Sequence, residues 1–199
     1  MRTLFCLLFD DFETLDAFGP VEMFGQLKES VNIRFISLEG GTAASIHGVS
    51  CRTDSPPASV QEGSILLIPG GFGTRREVSN PLMIDLIEKL SRQCEYVLTV
   101  CTGSALLART GLLDGLRATS NKRSLKWVME QGPKVLWQGS ARWVESGKYY
   151  TSSGVTAGID MSLGFMSSLF GEEKAWDICS FTEYIWNTDK NSDPFSVPL

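Results

Sequence analysis

Residues Glu95 to Ser104, reading EYVLTVCTGS, constrain the fold of this chain more than any other stretch. Apolar, β-prone residues run into Cys101, and small residues then open an apolar helical pattern from Ala105 to Leu113. That order reads as strand, sharp turn and helix, with Cys101 at the corner. A side chain at such a corner stands above a sheet, beside the free backbone N–H groups of a helix start. Those groups and the positive end of the helix dipole lower a thiol's pKa and can hold a developing oxyanion. The arrangement is the cysteine counterpart of a hydrolase nucleophile elbow. Cys101 is therefore the first candidate catalytic residue.

The rest of the chain alternates in the same way. Residues 3–9 form an apolar run, followed by a loop and a helical pattern from about Asp16 to Lys28. Val31 to Leu38 alternates as a strand, and the Gly-, Ser-, Pro- and Thr-rich residues 40–60 fit a small β excursion or loop. Ser64 to Ile68 is a short apolar strand ending in Pro69-Gly70-Gly71. Asn80 caps a helix reaching about Gln93, with Pro81 at its first position. Asn121 to Gln131 reads as helix, then Val135–Trp137, Ala141–Glu145 and Lys148–Thr151 as short strands. Two helices, Thr156–Phe170 and Glu172–Trp186, follow. Continuous apolar strands alternating with helices indicate a mostly parallel sheet covered on both faces, in one domain spanning residues 1–199. In such sheets the site lies beyond the carboxyl ends of the strands. The loops after Phe9, Ile68 and Val100 should converge there.

Composition excludes several functions. A net charge of −5 offers no basic field for nucleic acid or an anionic membrane surface. No apolar run approaches the roughly 20 residues needed to span a bilayer. The apolar start runs straight into Asp10-Asp11 without a cleavage site, so it reads as a buried strand rather than a signal peptide. The five cysteines are odd in number and lack CxxC spacing, which argues against a disulfide framework or zinc site and for a reducing, cytoplasmic compartment. Cys6 and Cys179 fall in apolar periodic runs and read as core.

Each candidate partner for Cys101 has a plainer alternative. Asp16 is either the N-cap of its helix or a carboxyl group facing the thiol and shuttling a proton. Asp10, Asp11 and Glu13 are rival carboxylates in the same loop and read as solvated surface. Gly70 and Gly71 let the backbone approach a ligand closely, and the Gly71 amide could donate to an oxyanion or merely form a turn. Thr102 offers an amide and a hydroxyl to the same oxyanion, or a cap. His47, the single histidine, lies in a peripheral Gly/Ser-rich segment, so a Cys-His dyad is disfavoured. Arg75, Arg76 and Asn121 read as surface residues with a possible place at the rim of the site. The five tryptophans, Trp127, Trp137, Trp143, Trp176 and Trp186, read as packing.

With these residues assembled, the chain resembles the DJ-1/PfpI (ThiJ) superfamily over almost its whole length. The matches are Leu15-Asp16 with Gly19-Pro20, Ile68-Pro69-Gly70-Gly71, Val100-Cys101-Thr102-Gly103-Ser104, and Gly111-Leu112-Leu113-Asp114-Gly115 with Ala118-Thr119. Ser153 to Asp160, Glu183-Tyr184 and Asp193-Pro194-Phe195 continue the pattern. The Leu-Asp and Cys-Thr-Gly-Ser segments are most similar to isocyanide (isonitrile) hydratases. The resemblance implies a flavodoxin-like α/β sandwich, a homodimer, a small-molecule substrate, and no metal or organic cofactor. It implies that Cys101 attacks an isocyanide carbon while Asp16 moves protons, releasing an N-substituted formamide. Amides of Gly71 and Thr102, with Gly70 beside them, would line the pocket, and Val155 would approach from a later loop. One departure stands out: relatives often carry Thr-His-Trp where this chain has Ser120-Asn121-Lys122 after Thr119, which removes the histidine some of them place near their cysteine.

Two other functions fit the same residues. Cys101 could act as a redox or electrophile sensor through sulfenic or sulfinic acid. Alternatively, the chain could be a ligand-binding module without turnover. Relatives of this fold occur as sensor domains fused to a C-terminal helix-turn-helix. No basic helix of that kind is present through Leu199, so direct DNA regulation is not expected.

Overall fold

The computed structural model describes residues 1–198. Its central sheet has six strands: β1 (Arg2–Leu7), β2 (Val31–Ile36), β5 (Ile65–Ile68), β6 (Tyr96–Thr99), β9 (Trp143–Ser146) and β10 (Tyr149–Ser152). They run in the order β2-β1-β5-β6-β10-β9. Five are parallel, in register Leu4↔Ile65, Leu67↔Leu98 and Tyr150↔Leu98, and β9 closes one edge antiparallel to β10. Strand β5 is buried at every position, as a strand covered on both faces must be. Residues 40–60 form an antiparallel hairpin, β3 (Gly41–Ala44) with β4 (Ser50–Thr53), and a small parallel pair joins β7 (Arg117–Ala118) to β8 (Leu136–Trp137).

The helices form two packed groups. One contains α1 (Thr14–Gly25), α6 (Ala157–Phe170) and α7 (Glu172–Thr182), and the other contains α3 (Pro81–Gln93), α4 (Gly103–Arg109) and α5 (Leu125–Gln131). A single-turn helix, α2 (Thr74–Glu77), was not expected from the sequence and follows the glycine turn after β5. This is the flavodoxin-like three-layer sandwich that the resemblance implies. Burial of Phe24 and Phe165, whose rings lie 6.0 Å apart, joins α1 to α6 beneath the sheet's tyrosines Tyr96 and Tyr150. Each large aromatic buried this way contributes about 2 kcal/mol or more.

Several element boundaries move for identifiable reasons. α3 starts as expected, with Asn80 Oδ1 accepting from the Leu82 amide and Pro81 following it. α7 stops at Thr182 rather than 186, because Glu183 turns left-handed at φ 52° and ends the ladder. The expected helix over 121–131 divides into a 3₁₀ turn, Lys122–Ser124, and then α5. Most consequential for function, α1 begins at Thr14 with Glu13 in the N-cap position. Asp16 is thus not the cap that its sequence position suggested; it lies inside the first turn with its side chain directed into the protein.

Candidate active site

Cys101 lies in the turn between β6 and α4, directly before Thr102, the N-cap of α4. Its φ of 55° lies in the left-handed region, a conformation that costs a non-glycine residue on the order of 1 kcal/mol or more. The surrounding residues hold that corner in place. The Cys101 amide donates to Ser153 O (3.2 Å), while the hydroxyls of Ser120 (2.8 Å) and Ser104 (3.0 Å) both donate to Cys101 O. Val155 on the facing loop also has a positive φ, 35°, which is rarer still for a β-branched residue.

Asp16 comes to this corner from α1 and is fully buried, with 0% of its surface exposed. The Gly70 amide donates to Asp16 Oδ2 (3.0 Å), whereas Oδ1 has no hydrogen-bond partner among the described residues. Gly70 must be glycine here: a Cβ would stand 2.6 Å from Thr102 N and 2.8 Å from Asp16 Oδ2. The Gly71 amide, which the sequence offered to an oxyanion, donates in the resting site to Thr102 Oγ1 (3.1 Å), and Thr74 Oγ1 donates to the same oxygen (3.1 Å). The Thr102 amide instead supports the Cys101 sulfur. Gly70, Gly71, Thr102, Asp16, Cys101 and Val155 therefore meet at one place, and the glycine turn acts there chiefly through the groups it holds.

Electrostatics depart from the sequence expectation of an acidic thiol. Cys101 is 6% exposed. Burial pushes its thiol far above the ordinary value, and the Asp16 carboxylate pushes it the same way. The Thr102 amide and the Asn121 side chain pull it down, as does the Thr102 hydroxyl, but burial outweighs them. α4 is only seven residues long, and its dipole cannot offset a nearly complete loss of solvent. Burial likewise pushes the Asp16 carboxyl up to about 8, with the Gly70 amide opposing and the Glu13 charge assisting. The two groups titrate as a pair, and near neutral pH the pair retains its protons.

A cavity of about 430 Å³ opens over Cys101, a volume suited to a small molecule. Glu13, Gly71, Phe72, Arg75, Cys101, Thr102, Asn121, Arg123, Ser124 and Val155 line it. Asn121 lines the cavity and is not simply a surface residue: its side chain favours charge on the Cys101 sulfur, and its Oδ1 accepts from the Ser124 amide (3.1 Å). Gly154 leaves room for it, because a Cβ there would collide with Asn121 Nδ2. Just behind, the buried Lys122 ammonium donates to Thr119 Oγ1 (2.6 Å) and Ala141 O (2.5 Å), fixing the loop that presents Asn121. Burial lowers that ammonium to a pKa of about 8.

Arg75 is exposed, as a surface residue should be, and also lines the cavity. Its guanidinium lies over the Trp127 ring, 3.4 Å from the centroid, and Nη2 donates to Ser124 Oγ (3.2 Å). Arg76 points elsewhere, toward Glu77, Asp11 and Asp10 O. His47 sits against Thr14 Oγ1 (2.9 Å) and Glu13 Oε1 (3.6 Å) and does not line the cavity. Glu13, read from the sequence as solvated surface, does line it. Arg123, Ser124 and Phe72 escaped the sequence reading altogether. The replaced Thr-His-Trp segment was the available signal, since it marked the 119–124 loop as belonging to the site.

The far side of the site rests on a buried ion pair. Arg142 Nε donates to Asp160 Oδ2 (2.6 Å), and Asp160 Oδ1 accepts from Tyr184 OH and the Asn187 amide, both at 3.0 Å. The Ser153 amide donates to Arg142 O (2.8 Å), connecting this network to the residue that holds the Cys101 amide. All five cysteines are free thiols, and among the described residues no group of three or more His, Cys, Asp or Glu side chains is placed to hold a metal ion. Among the described residues no helix is long and apolar enough to cross a membrane.

Known proteins share this arrangement of fold and sequence. An isonitrile hydratase from Pseudomonas putida is 29% identical over 171 residues, covering 85% of this chain and 72% of that protein. The HTH-type transcriptional regulator GbdR of Pseudomonas aeruginosa is 29% identical over 199 residues, covering 97% of this chain and 53% of the regulator. This chain thus spans about half of the regulator's length. The crystal structure of a ThiJ/PfpI family protein from Pseudomonas syringae superposes with a TM-score of 0.82 at 25% identity, covering 93% of this chain and 76% of that one. The DJ-1/PfpI family model matches residues 1–168, and with the strand–Cys101–helix corner and its glycine turn in place, this chain belongs to the DJ-1/PfpI family.

Proposed function

We propose that this protein is a cysteine-dependent enzyme that hydrates an isocyanide to an N-substituted formamide. The observation that carries this reading is the pairing of Cys101, which lines the cavity, with the fully buried Asp16 carboxyl beside it, one of whose oxygens is unpartnered among the described residues. An isocyanide presents a terminal carbon that must gain a sulfur bond and a proton in the same step. A carboxyl group with a pKa near 8 can give and take protons around neutral pH.

In the reaction, the Asp16 carboxyl gives its proton to the terminal carbon as the sulfur attacks, and takes the Cys101 thiol proton in exchange. This leaves a thioimidate, S–CH=N–R, with Asp16 again protonated. Water then adds to the same carbon; Asp16 gives its proton to the nitrogen and takes one from the water. The C–S bond breaks as the carbonyl forms, and the hydroxyl proton returns to sulfur through Asp16. The sum is R–N≡C plus water giving R–NH–CHO. The Thr102 amide and Asn121 support negative charge on sulfur at each stage.

The isonitrile hydratase relative supports this reading, as does the matching Leu-Asp and Cys-Thr-Gly-Ser pattern. A thiol held protonated by burial favours it over a peroxide sensor, which needs a standing thiolate. The second reading, ligand binding without turnover, draws support from the regulator half that this chain matches. A homodimer and a cytoplasmic location complete the proposal. The test is formamide release from an aryl isocyanide by the wild-type protein and by Cys101→Ala. Turnover abolished in the variant supports the assignment, and equal turnover in both refutes it.

A further inference from the structure

Arg75 and Arg123 line the Cys101 cavity, and neither forms a salt bridge with a carboxylate among the described residues. Glu13, the acidic residue that also lines the cavity, faces His47 at 3.6 Å. Arg75 is also pre-positioned. Stacking on Trp127 fixes the plane of its guanidinium, and hydrogen bonds to Thr74 Oγ1 (3.4 Å) and Ser124 Oγ (3.2 Å) use only part of its five donors. A guanidinium whose plane is fixed in this way loses little rotamer freedom when it binds a planar anion side-on. It also lies near enough to Cys101 for a sulfur charge to stabilise it.

We propose that the cavity selects a small substrate bearing a carboxylate, which Arg75 clamps with help from Arg123 while the electrophilic carbon lies over Cys101. This deepens the proposed isocyanide chemistry and rests on it for the reaction, but the anion preference can be read independently of turnover. The geometry has a simple consequence. Arg75 and Ser124, joined by a hydrogen bond of 3.2 Å, line the same cavity of about 430 Å³ as Cys101, so one small molecule can meet both the guanidinium and the thiol.

The test compares the alkylation rates of Cys101 by iodoacetate and iodoacetamide, which differ by a carboxylate against a neutral amide, with the modified residue identified by mass spectrometry. The iodoacetate-to-iodoacetamide rate ratio should fall about tenfold or more in Arg75→Gln, and by a smaller factor in Arg123→Gln. It should stay unchanged in Arg76→Gln, whose guanidinium faces Asp11 and Glu77 outside the cavity. A ratio that is the same in wild type and Arg75→Gln overturns the proposal. In parallel, isocyanoacetate and its methyl ester are compared as substrates. A higher kcat/KM for the acid supports the clamp, and a higher value for the ester opposes it. If neither is hydrated, the isocyanide reading fails while the alkylation ratio still judges the anion site.

Discussion

Replacing Asp16 by Asn isolates the energetic cost of holding a carboxyl group at the floor of the site. The substitution preserves size, and the amide can accept the Gly70 amide hydrogen through Oδ1 while turning Nδ2 toward the sulfur. It removes the titration. An ordinary Asp titrates near 3.8, and in the folded protein burial raises Asp16 to about 8. Between those values the folded state holds one more proton than the unfolded chain. This contribution to stability is fully present below the unfolded value, falls as pH rises toward about 8, and is lost above it. The slope is about 1.4 kcal/mol per pH unit, so wild type should lose about 2.5 kcal/mol relative to Asp16→Asn between pH 5 and 7. Other groups titrate alike in both proteins and cancel. With a urea m-value of about 2 kcal/mol/M, the two midpoints should diverge by about 1 M over that range. Midpoints that run parallel from pH 5 to 8 would refute the assignment of a raised carboxyl to Asp16. The same variant should lose about 10²-fold or more in isocyanide turnover, since it can neither give nor accept a proton.

Three further outcomes probe the frame around the cysteine. Gly70→Ala should destabilise the fold by about 1–3 kcal/mol and sharply slow turnover, because its Cβ would enter the space of Thr102 N and Asp16 Oδ2; thermal melts and formamide assays read the two effects. Arg142→Met should cost about 3–5 kcal/mol in urea denaturation, since it strands Asp160 buried without its cation, and adding Asp160→Leu should recover much of that loss. The rate of Cys101 modification by iodoacetamide should rise as pH passes through about 8 in wild type, where the thiol–carboxyl pair releases its first proton, and this inflection should be absent in Asp16→Asn.

The parts of the site that were legible in the sequence are those fixed by local chain geometry. A strand running into a cysteine and then into small residues gave the Cys101 corner, and consecutive glycines after a second apolar strand marked the turn that meets it. Asp16 was visible as a candidate, but its role was ambiguous until the helix start at Thr14 put it inside the first turn and turned it inward. What one sequence could not supply was the balance of long-range terms. The helix-start logic argued for an acidic thiol, yet burial of Cys101 together with a second buried carboxyl reverses that sign. Arg75 and Arg123 look like any surface arginines in the sequence. The setting of Arg75 comes from residues some fifty positions away, Trp127 beneath its guanidinium and Ser124 hydrogen-bonded to it.

The reversal of the thiol's character bears directly on what the protein can do. A cysteine that is already a thiolate reacts with peroxide and with any electrophile that reaches it, so selectivity must come from exclusion. In this site the sulfur and carboxyl hold their protons near neutral pH, and the groups that favour charge on sulfur, the Thr102 amide and Asn121, are outweighed by desolvation together with the Asp16 carboxylate. A ligand that supplies a polar reacting carbon where water is scarce changes that balance at the moment of reaction. Reactivity is then conditional on occupancy, and occupancy is governed by the cavity wall. Under the proposed clamp, burial of Cys101 leaves Arg75 and its neighbours to select the molecule that meets the thiol.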